Sequence, residues 1–300
     1  MCGIMGYYSF GSKLPDKNQI EEMFIQLELR GRDASGFAYI KDNSLNVVKA
    51  PAKSSDLVKL KEWKDLDLAK SMIFHCRLTT QGHQSNNMNN HPVYNKKGLA
   101  IVHNGQIYND KEIFGKKEKR DAEVDSEAIL NLLSIRKKND SPTERIKRVF
   151  NKLEGGFAVA CIDAKDPDRL LLFRKDNPIE LYFDSKDEIL YFASEREIIQ
   201  RALRIKPMTF RGFNLGENPF HHYDLENEHG LIINQSGVES YKKYHVPYRS
   251  HYQSRFEYNM NDYMMIECPY CLSMTKYNFQ SLHNPCDYCG QKIDEEIFYV

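Results

Sequence analysis

The sequence lacks a surplus of charge of either sign. Its 300 residues hold 42 lysines and arginines against 42 aspartates and glutamates, so it offers no broad basic face to a nucleic-acid backbone and no acidic excess to a basic partner. It also lacks any apolar run near the ~20 residues that cross a bilayer. The opening MCGIMGYYSFGSK has no basic region ahead of a long apolar stretch, so it does not read as a secretory signal. Cysteine is sparse and uneven: Cys2, Cys76, Cys161, Cys268, Cys271, Cys286 and Cys289. Four of the seven fall into two C-x-x-C pairs, the spacing of metal ligands in a reducing compartment rather than of a disulfide framework. A cytoplasmic protein with no membrane association is expected. What the chain does have is core-forming residues, 41% hydrophobic and 12% aromatic, which excludes a disordered chain and suits one large or two modest domains.

Periodicity predicts mixed α+β structure. A strand is expected over 2–10. A helix follows over 16–30, capped by Asp16, with Ile20, Met23, Phe24 and Leu27 on one face and Gly31 as its stop. Strands are expected at 36–41 and 71–78, and a short apolar strand at 99–103 that ends at Asn104-Gly105, a dipeptide common in turns. A helix is expected over 125–137. Another begins at Ser141-Pro142-Thr143-Glu144, a capping-box pattern, and presents Ile146, Val149, Phe150 and Leu153 to a core. The positive run over 136–152 reads as the solvated face of this helix. The strand-like runs FAVACI, RLLLF, ELYF and ILYFA follow, then a short helix at 195–204 and further strands and turns over 207–246. Residues 247–265 are rich in tyrosine and polar groups and read as a linker between a domain at 2–246 and a tail at 266–300.

The chemistry begins at Cys2. Removal of Met1 would leave it a free α-amine, whose reference pKa of ~7.7–8.0 makes a usable base on the same residue as a nucleophilic thiol. Several blocks accompany it in order: Cys2-Gly3-Ile4; RGRDASG from Arg30; HCRLTTQG over 75–82; Asn90-His91-Pro92; VHNGQIYN over 102–109; DSEAIL over 125–130; GGFAVACID over 155–163; and FASE over 192–195. Across roughly residues 2–205 the chain resembles the class II (N-terminal nucleophile, Ntn) glutamine amidotransferases. That resemblance implies a four-layer αββα sandwich of the Ntn-hydrolase type and glutamine as substrate, with Cys2 as nucleophile and a thioester intermediate. It implies Asn104 and Gly105 as the donors to the oxyanion, Arg77 as the holder of the α-carboxylate, Asp125 as the holder of the α-ammonium, and Thr80 and Gly82 as pocket lining. The bland alternatives are a surface ion pair for Arg77 and a helix N-cap for Asp125. His75, His91 and His103 are expected to support the pocket rather than react. Leu78 departs from the sugar amidotransferases, which carry Trp there, so the substrate loop is expected to close differently.

Cys268-x-x-Cys271 and Cys286-x-x-Cys289, fourteen residues apart, predict a small C-terminal zinc ribbon holding one structural Zn2+. Residues 247–300 carry four basic against seven acidic side chains, which argues against nucleic acid and for a protein-docking or stabilising role. No Ser-Gly-Gly-x-Asp-Ser or Gly-x-x-x-x-Gly-Lys loop is present, and the ~95 residues after 205 are few for an acceptor domain. The ammonia is therefore expected to pass to a separate synthetase subunit. A free-standing γ-glutamyl amidohydrolase is the alternative, and a non-enzymatic scaffold fits the intact Cys2, Arg77, Asn104, Gly105 and Asp125 poorly.

Overall fold

The structure is a computed structural model. It describes residues 2–114, 120–137, 140–205 and 219–242, the backbone of two strands at 264–267 and 274–277, and Cys289. The chain divides into two compact units, 1–244 and 245–300. In chain order the first unit contains β1 (Gly3–Ser9), α1 (Lys17–Gln26), β2 (Ala34–Lys41), β3 (Ser44–Ala50), α2 (Ser54–Leu57), α3 (Lys61–Lys64) and β4 (Ser71–Arg77). Next come β5 (Val93–Tyr94), β6 (Leu99–Ile107), α4 (Asp110–Ile113), α5 (Ser126–Ser134), α6 (Pro142–Lys152), β7 (Gly155–Asp163) and β8 (Asp166–Lys175). The unit closes with β9 (Glu180–Asp184), β10 (Ile189–Ala193), α7 (Arg196–Ala202), β11 (Phe220–Asp224), β12 (His229–Asn234) and β13 (Gly237–Lys242). The second unit contributes β14 (Met264–Glu267) and β15 (Met274–Tyr277), paired antiparallel.

Two antiparallel sheets organise the first unit. One runs β11-β9-β10-β1-β4-β2-β3, the other β13-β12-β8-β7-β6-β5. Strand alternation sorts their side chains. Met5 and Tyr7 of β1 join Ile20, Met23 and Phe24 of α1 and Ile198 and Ile199 of α7 in one apolar cluster. Ile4 and Tyr8, on the opposite face, meet Ala100, Val102, Ala158 and Ala160 of the second sheet. The far face of that sheet packs Ile101, Val159 and Phe173 against Ile129 and Leu133 of α5 and Val149 and Phe150 of α6. The layers are therefore helix, sheet, sheet, helix. Among the described residues no helix is long and apolar enough to cross a membrane.

Local signals account for most boundaries. Asp16 accepts from the Asn18 N–H at 2.8 Å and starts α1, which gives way to a 3-10 turn at Leu27–Leu29 rather than running on as α-helix to 30. Ser141 accepts from the Glu144 N–H at 3.1 Å, while the Glu144 carboxylate bonds Lys147 at 2.8 Å. Two expectations fail. The strand beginning at Leu99 does not stop at Asn104-Gly105 but continues to Ile107, because β7 pairs with it along its whole length, Asn104 opposite Ala158 and Gly105 opposite Phe157. The basic run is not a uniformly solvated face either: Arg145 is 4% exposed, and Arg136, Arg145 and Arg148 all bond inward. The proposed linker, 247–265, lies outside the described residues except for Met264 and Met265, which stand in β14.

Candidate active site

The first sheet builds one wall of the site. Its register pairs Gly3 with Cys76, which places Cys2 beside Arg77, the last residue of β4. The Cys2 thiol points at the Leu78 carbonyl, 3.4 Å away. Its own carbonyl accepts from Arg30 Nε at 3.2 Å, and Arg30 Nη1 pairs with Glu195 at 2.6 Å. The RGRDASG and FASE blocks, 165 residues apart, thus meet around Cys2. A Cβ on Gly31 would lie 2.3 Å from the Arg77 carbonyl carbon, so only glycine lets the chain lie on the Arg77–Leu78 peptide. Asp33 then accepts from the Thr79 N–H at 2.7 Å and holds the start of the loop after β4.

Burial pushes the Cys2 thiol above its ordinary pKa, and the nearby Arg77 charge opposes this only in part. At neutral pH the resting group is the thiol, so a base must take its proton before it can attack. Met1 lies outside the described residues.

Arg77 is not at the surface: it is 3% exposed. Nη1 donates to Asn90 Oδ1 at 2.8 Å, and Nη2 donates to the Gln81 and Gly82 carbonyls. Burial holds its pKa below the usual value. The loop that supplies these acceptors is itself tied down. Asn90 Nδ2 donates to the Gln84 carbonyl at 2.8 Å, and Lys49 Nζ donates to the Asn90 and Pro92 carbonyls at 2.6 and 3.1 Å. Burial, helped by Arg77, brings Lys49 down to about 8. Gly82 has φ +68°. Thr80 is exposed on this loop.

The second sheet supplies the opposite wall. His75 Nε2 donates to the His103 carbonyl at 3.0 Å, a bond from β4 to β6 one residue before Asn104. Asn104 is 1% exposed, and among the described residues its Nδ2 has no hydrogen-bond partner. Gly105 is exposed and has φ +147°; a Cβ there would lie 2.1 Å from the Gly156 carbonyl oxygen. Glycine is required by the neighbouring strand as much as by anything approaching from solvent.

Asp125 precedes α5 but does not cap it. Its Oδ2 turns back to accept from the Ile107 N–H at 2.7 Å, so the carboxylate sits at the end of β6. The histidines lie behind it. His91 and His103 both contact Ser126 Oγ, at 2.9 and 2.8 Å, and the His75 and His91 rings stack 4.1 Å apart. Burial lowers all three pKa values, His75 to about 3, so they are neutral props.

The predicted residues thus fall into one region, with Arg77 and Asp125 both close enough to bias the Cys2 thiol. Sequence reasoning gave no role to Arg30, Asp33, Asn90, Ser126 or Lys49. The first four lay inside quoted blocks; Lys49 carried no motif signal. Cys268, Cys271 and Cys286 lie outside the described residues, and Cys289 is exposed.

Residues 75–201 match a family model described as a glutamine amidotransferase domain. The chain is similar to the glutamine–fructose-6-phosphate aminotransferase (isomerizing) of Aquifex aeolicus, 36% identical over 184 residues, which is 60% of this chain and 30% of that protein. The corresponding protein of Gloeobacter violaceus is 32% identical over 200 residues, 65% of this chain and 32% of that one. The chain spans about a third of the length of these curated relatives. Among solved structures, the fold is similar to that of the glutamine phosphoribosylpyrophosphate amidotransferase from B. subtilis, with a TM-score of 0.63 and 17% identity over 80% of this chain and 49% of that one. Residues 75–201 are therefore similar to a glutamine amidotransferase domain, and the fold is one that a glutamine amidotransferase of known structure shares.

Proposed function

We propose that this chain hydrolyses glutamine to glutamate and ammonia. The observation that carries the proposal is the buried Asn104 amide, whose Nδ2 donor has no acceptor among the described residues. A buried donor left unmade costs about 1–3 kcal/mol, and an oxyanion forming on a substrate carbonyl would satisfy it. In this reading the α-amine of processed Cys2 takes the thiol proton, and Sγ attacks the side-chain amide carbon of glutamine. Asn104 Nδ2 and the Gly105 N–H hold the tetrahedral oxyanion. The C–N bond breaks as the amine returns the proton, ammonia leaves, and a γ-glutamyl thioester remains on Cys2. Water attacks the thioester, the C–S bond breaks, and glutamate and the thiol are released. Arg77 meets the α-carboxylate and Asp125 the α-ammonium, with Thr80 and Gly82 at the mouth of the pocket.

In this proposal the ammonia goes to an acceptor on a separate synthetase, in line with relatives whose names pair glutamine with an acceptor. The tail is proposed to hold one structural Zn2+ through Cys268, Cys271, Cys286 and Cys289. In support, β14 and β15 form a hairpin whose connection, 268–273, contains the first C-x-x-C pair, and four thiolates favour a closed tetrahedral zinc site.

A glutaminase assay on protein whose N-terminus has been sequenced tests the chemistry. Protein beginning at Cys2 is expected to release glutamate, and Cys2→Ala to release none while melting at the same temperature. Hydrolysis retained by Cys2→Ala would overturn the mechanism. Low basal turnover that rises with a co-purifying synthetase supports the transferase reading; fast turnover of γ-glutamyl compounds by the isolated chain would favour a free-standing hydrolase.

A further inference from the structure

Two recesses in the first unit adjoin, sharing Asn95, Lys97 and Ser134 as a common wall. The smaller, about 180 Å³, is lined by Lys97, Arg136, Arg145 and Lys165, with Asp163 as its one acid. The larger, about 440 Å³, presents Val93, Tyr94, Phe114, Leu130 and Ile135. Its acids are Asp121 and Glu127, and the Glu127 carboxylate is already bonded to Arg120 and to the Asp121 and Ala122 N–H groups.

The cationic end is built rather than incidental. Arg145 is buried and fixed, donating Nε to the Leu133 carbonyl at 2.8 Å and Nη2 to Asp163 at 3.2 Å. The same Asp163 oxygen receives Arg136, and the other accepts from the Lys165 N–H at 3.1 Å. Asn95 donates to Ser134 at 2.6 Å and accepts from the Lys97 N–H at 2.9 Å, which fixes the backbone from which the Lys97 side chain extends. One carboxylate therefore faces four cations in a recess that holds one small group. Partial burial weakens solvent screening of that excess, and a dianion would relieve it.

We propose that this cleft binds a small molecule joining a dianionic phosphate monoester to a flat, largely apolar body. The phosphate enters the recess of Lys97, Arg136, Arg145 and Lys165, and the ring lies against Val93, Tyr94 and Phe114. Lys97, Arg136 and Lys165 take no part in holding Cys2, Arg77 or Asn104, so the phosphate end stands independently of the glutaminase reading; the far end of the larger recess adjoins the glutamine pocket at Lys49, which bonds the Asn90 carbonyl.

Isothermal titration of the full chain tests it, with phenyl phosphate, inorganic phosphate and benzyl alcohol as probes. Phenyl phosphate is expected to saturate one site and to bind at least about tenfold more tightly than inorganic phosphate, because the ring adds apolar burial. Benzyl alcohol is expected not to saturate. Lys97→Ala and Arg136→Ala should each weaken phenyl phosphate about tenfold, the scale of one charge-assisted bond, with glutamine turnover unchanged. If Arg136→Ala fails to fold, Lys165→Ala replaces it. Adenosine monophosphate binding more tightly than glucose 6-phosphate supports the flat body; the reverse order overturns it. Absence of saturable phenyl phosphate binding at millimolar concentration, or binding that survives Lys97→Ala unchanged, overturns the proposal.

Discussion

Arg77 and Arg145 are buried alike, 3% and 4% exposed, but their company differs in kind. Arg145 has a carboxylate, Asp163, at 3.2 Å. Arg77 has only neutral acceptors, the Asn90 amide and the Gln81 and Gly82 carbonyls. Burying a cation costs several kcal/mol unless it is paired. The pair at Arg145 offsets that cost within the fold. At Arg77 the described residues supply hydrogen bonds but no carboxylate in direct contact; Asp33 and Asp125 act on it only from farther off, so part of the cost stands until an anion arrives. The same contrast separates two buried asparagines. Asn90 is bonded through both its oxygen and its nitrogen, whereas Asn104 Nδ2 has no partner among the described residues.

The largest effect that could break this contrast is at Asn104. Asn104→Ala is expected to lower kcat by ~10²–10³, the usual loss for one oxyanion donor, with little change in melting temperature because no internal bond to Nδ2 is lost. Turnover within twofold of the parent would remove Asn104 from the chemistry.

Exchanging the two arginines for methionine gives a crossed result. Arg145→Met should destabilise the fold by about 3 kcal/mol in a denaturant titration, because it breaks a buried pair. Arg77→Met should cost less, on the order of 1–2 kcal/mol, since it leaves the Asn90 amide oxygen and the loop carbonyls without their donor but breaks no direct ion pair, and should raise the KM for glutamine about tenfold or more. If the two variants show the same pattern, the two arginines do not differ in how their charge is offset.

The histidines sharpen the comparison, because a buried imidazole can shed its charge where an arginine cannot. Unfolded, His75, His91 and His103 titrate near 6.5; folded, burial holds them lower, His75 at about 3. Above pH 6.5 both states are neutral and nothing is lost. As pH falls below 6.5 the unfolded chain binds protons first, so stability must drop, with a slope that steepens toward at most about 1.4 kcal/mol per pH unit for each such imidazole. Urea titrations between pH 6.5 and 5 should show this slope, and His91→Gln should reduce it by one proton. A flat profile would mean that the three rings are not buried neutral.

The smallest effect concerns Lys49, which fastens the carbonyl of the residue that holds Arg77. Lys49→Met should raise the KM for glutamine about fivefold, the worth of one hydrogen bond, while kcat stays within twofold, and Lys49→Arg should recover part of the loss. A change in kcat alone would place Lys49 elsewhere in the mechanism.

The contrast also bears on what could be read beforehand. The order of blocks pointed to Cys2, Arg77, Asn104, Gly105 and Asp125, and the structure brings their surroundings together. Asp125 shows where such reading stops: Asp before a helix is the pattern of an N-cap, yet its side chain bonds the Ile107 N–H on another element. Arg145 shows the same. A basic residue in a basic run belongs on a solvated face by pattern, and only the position of Asp163, eighteen residues on, turns it inward.

Local sequence determined what depends on near neighbours. The cap at Asp16, the helix start at Ser141 and the apolar stripes of α1 and α6 follow from side chains within a turn of one another, where spacing alone fixes contact. The role proposed for Cys2 likewise rests on one residue and its order among the blocks. The tertiary structure decided what depends on pairing between distant strands. Gly105 stays in β6 because β7 runs beside it, Arg30 reaches Glu195 because β1 lies between β4 and β10, and Asn104 is left with an unmet donor because two sheets close over it. Hydrogen bonds and burial across long sequence separations are set by register and packing, and neither is written in the spacing of residues along one segment.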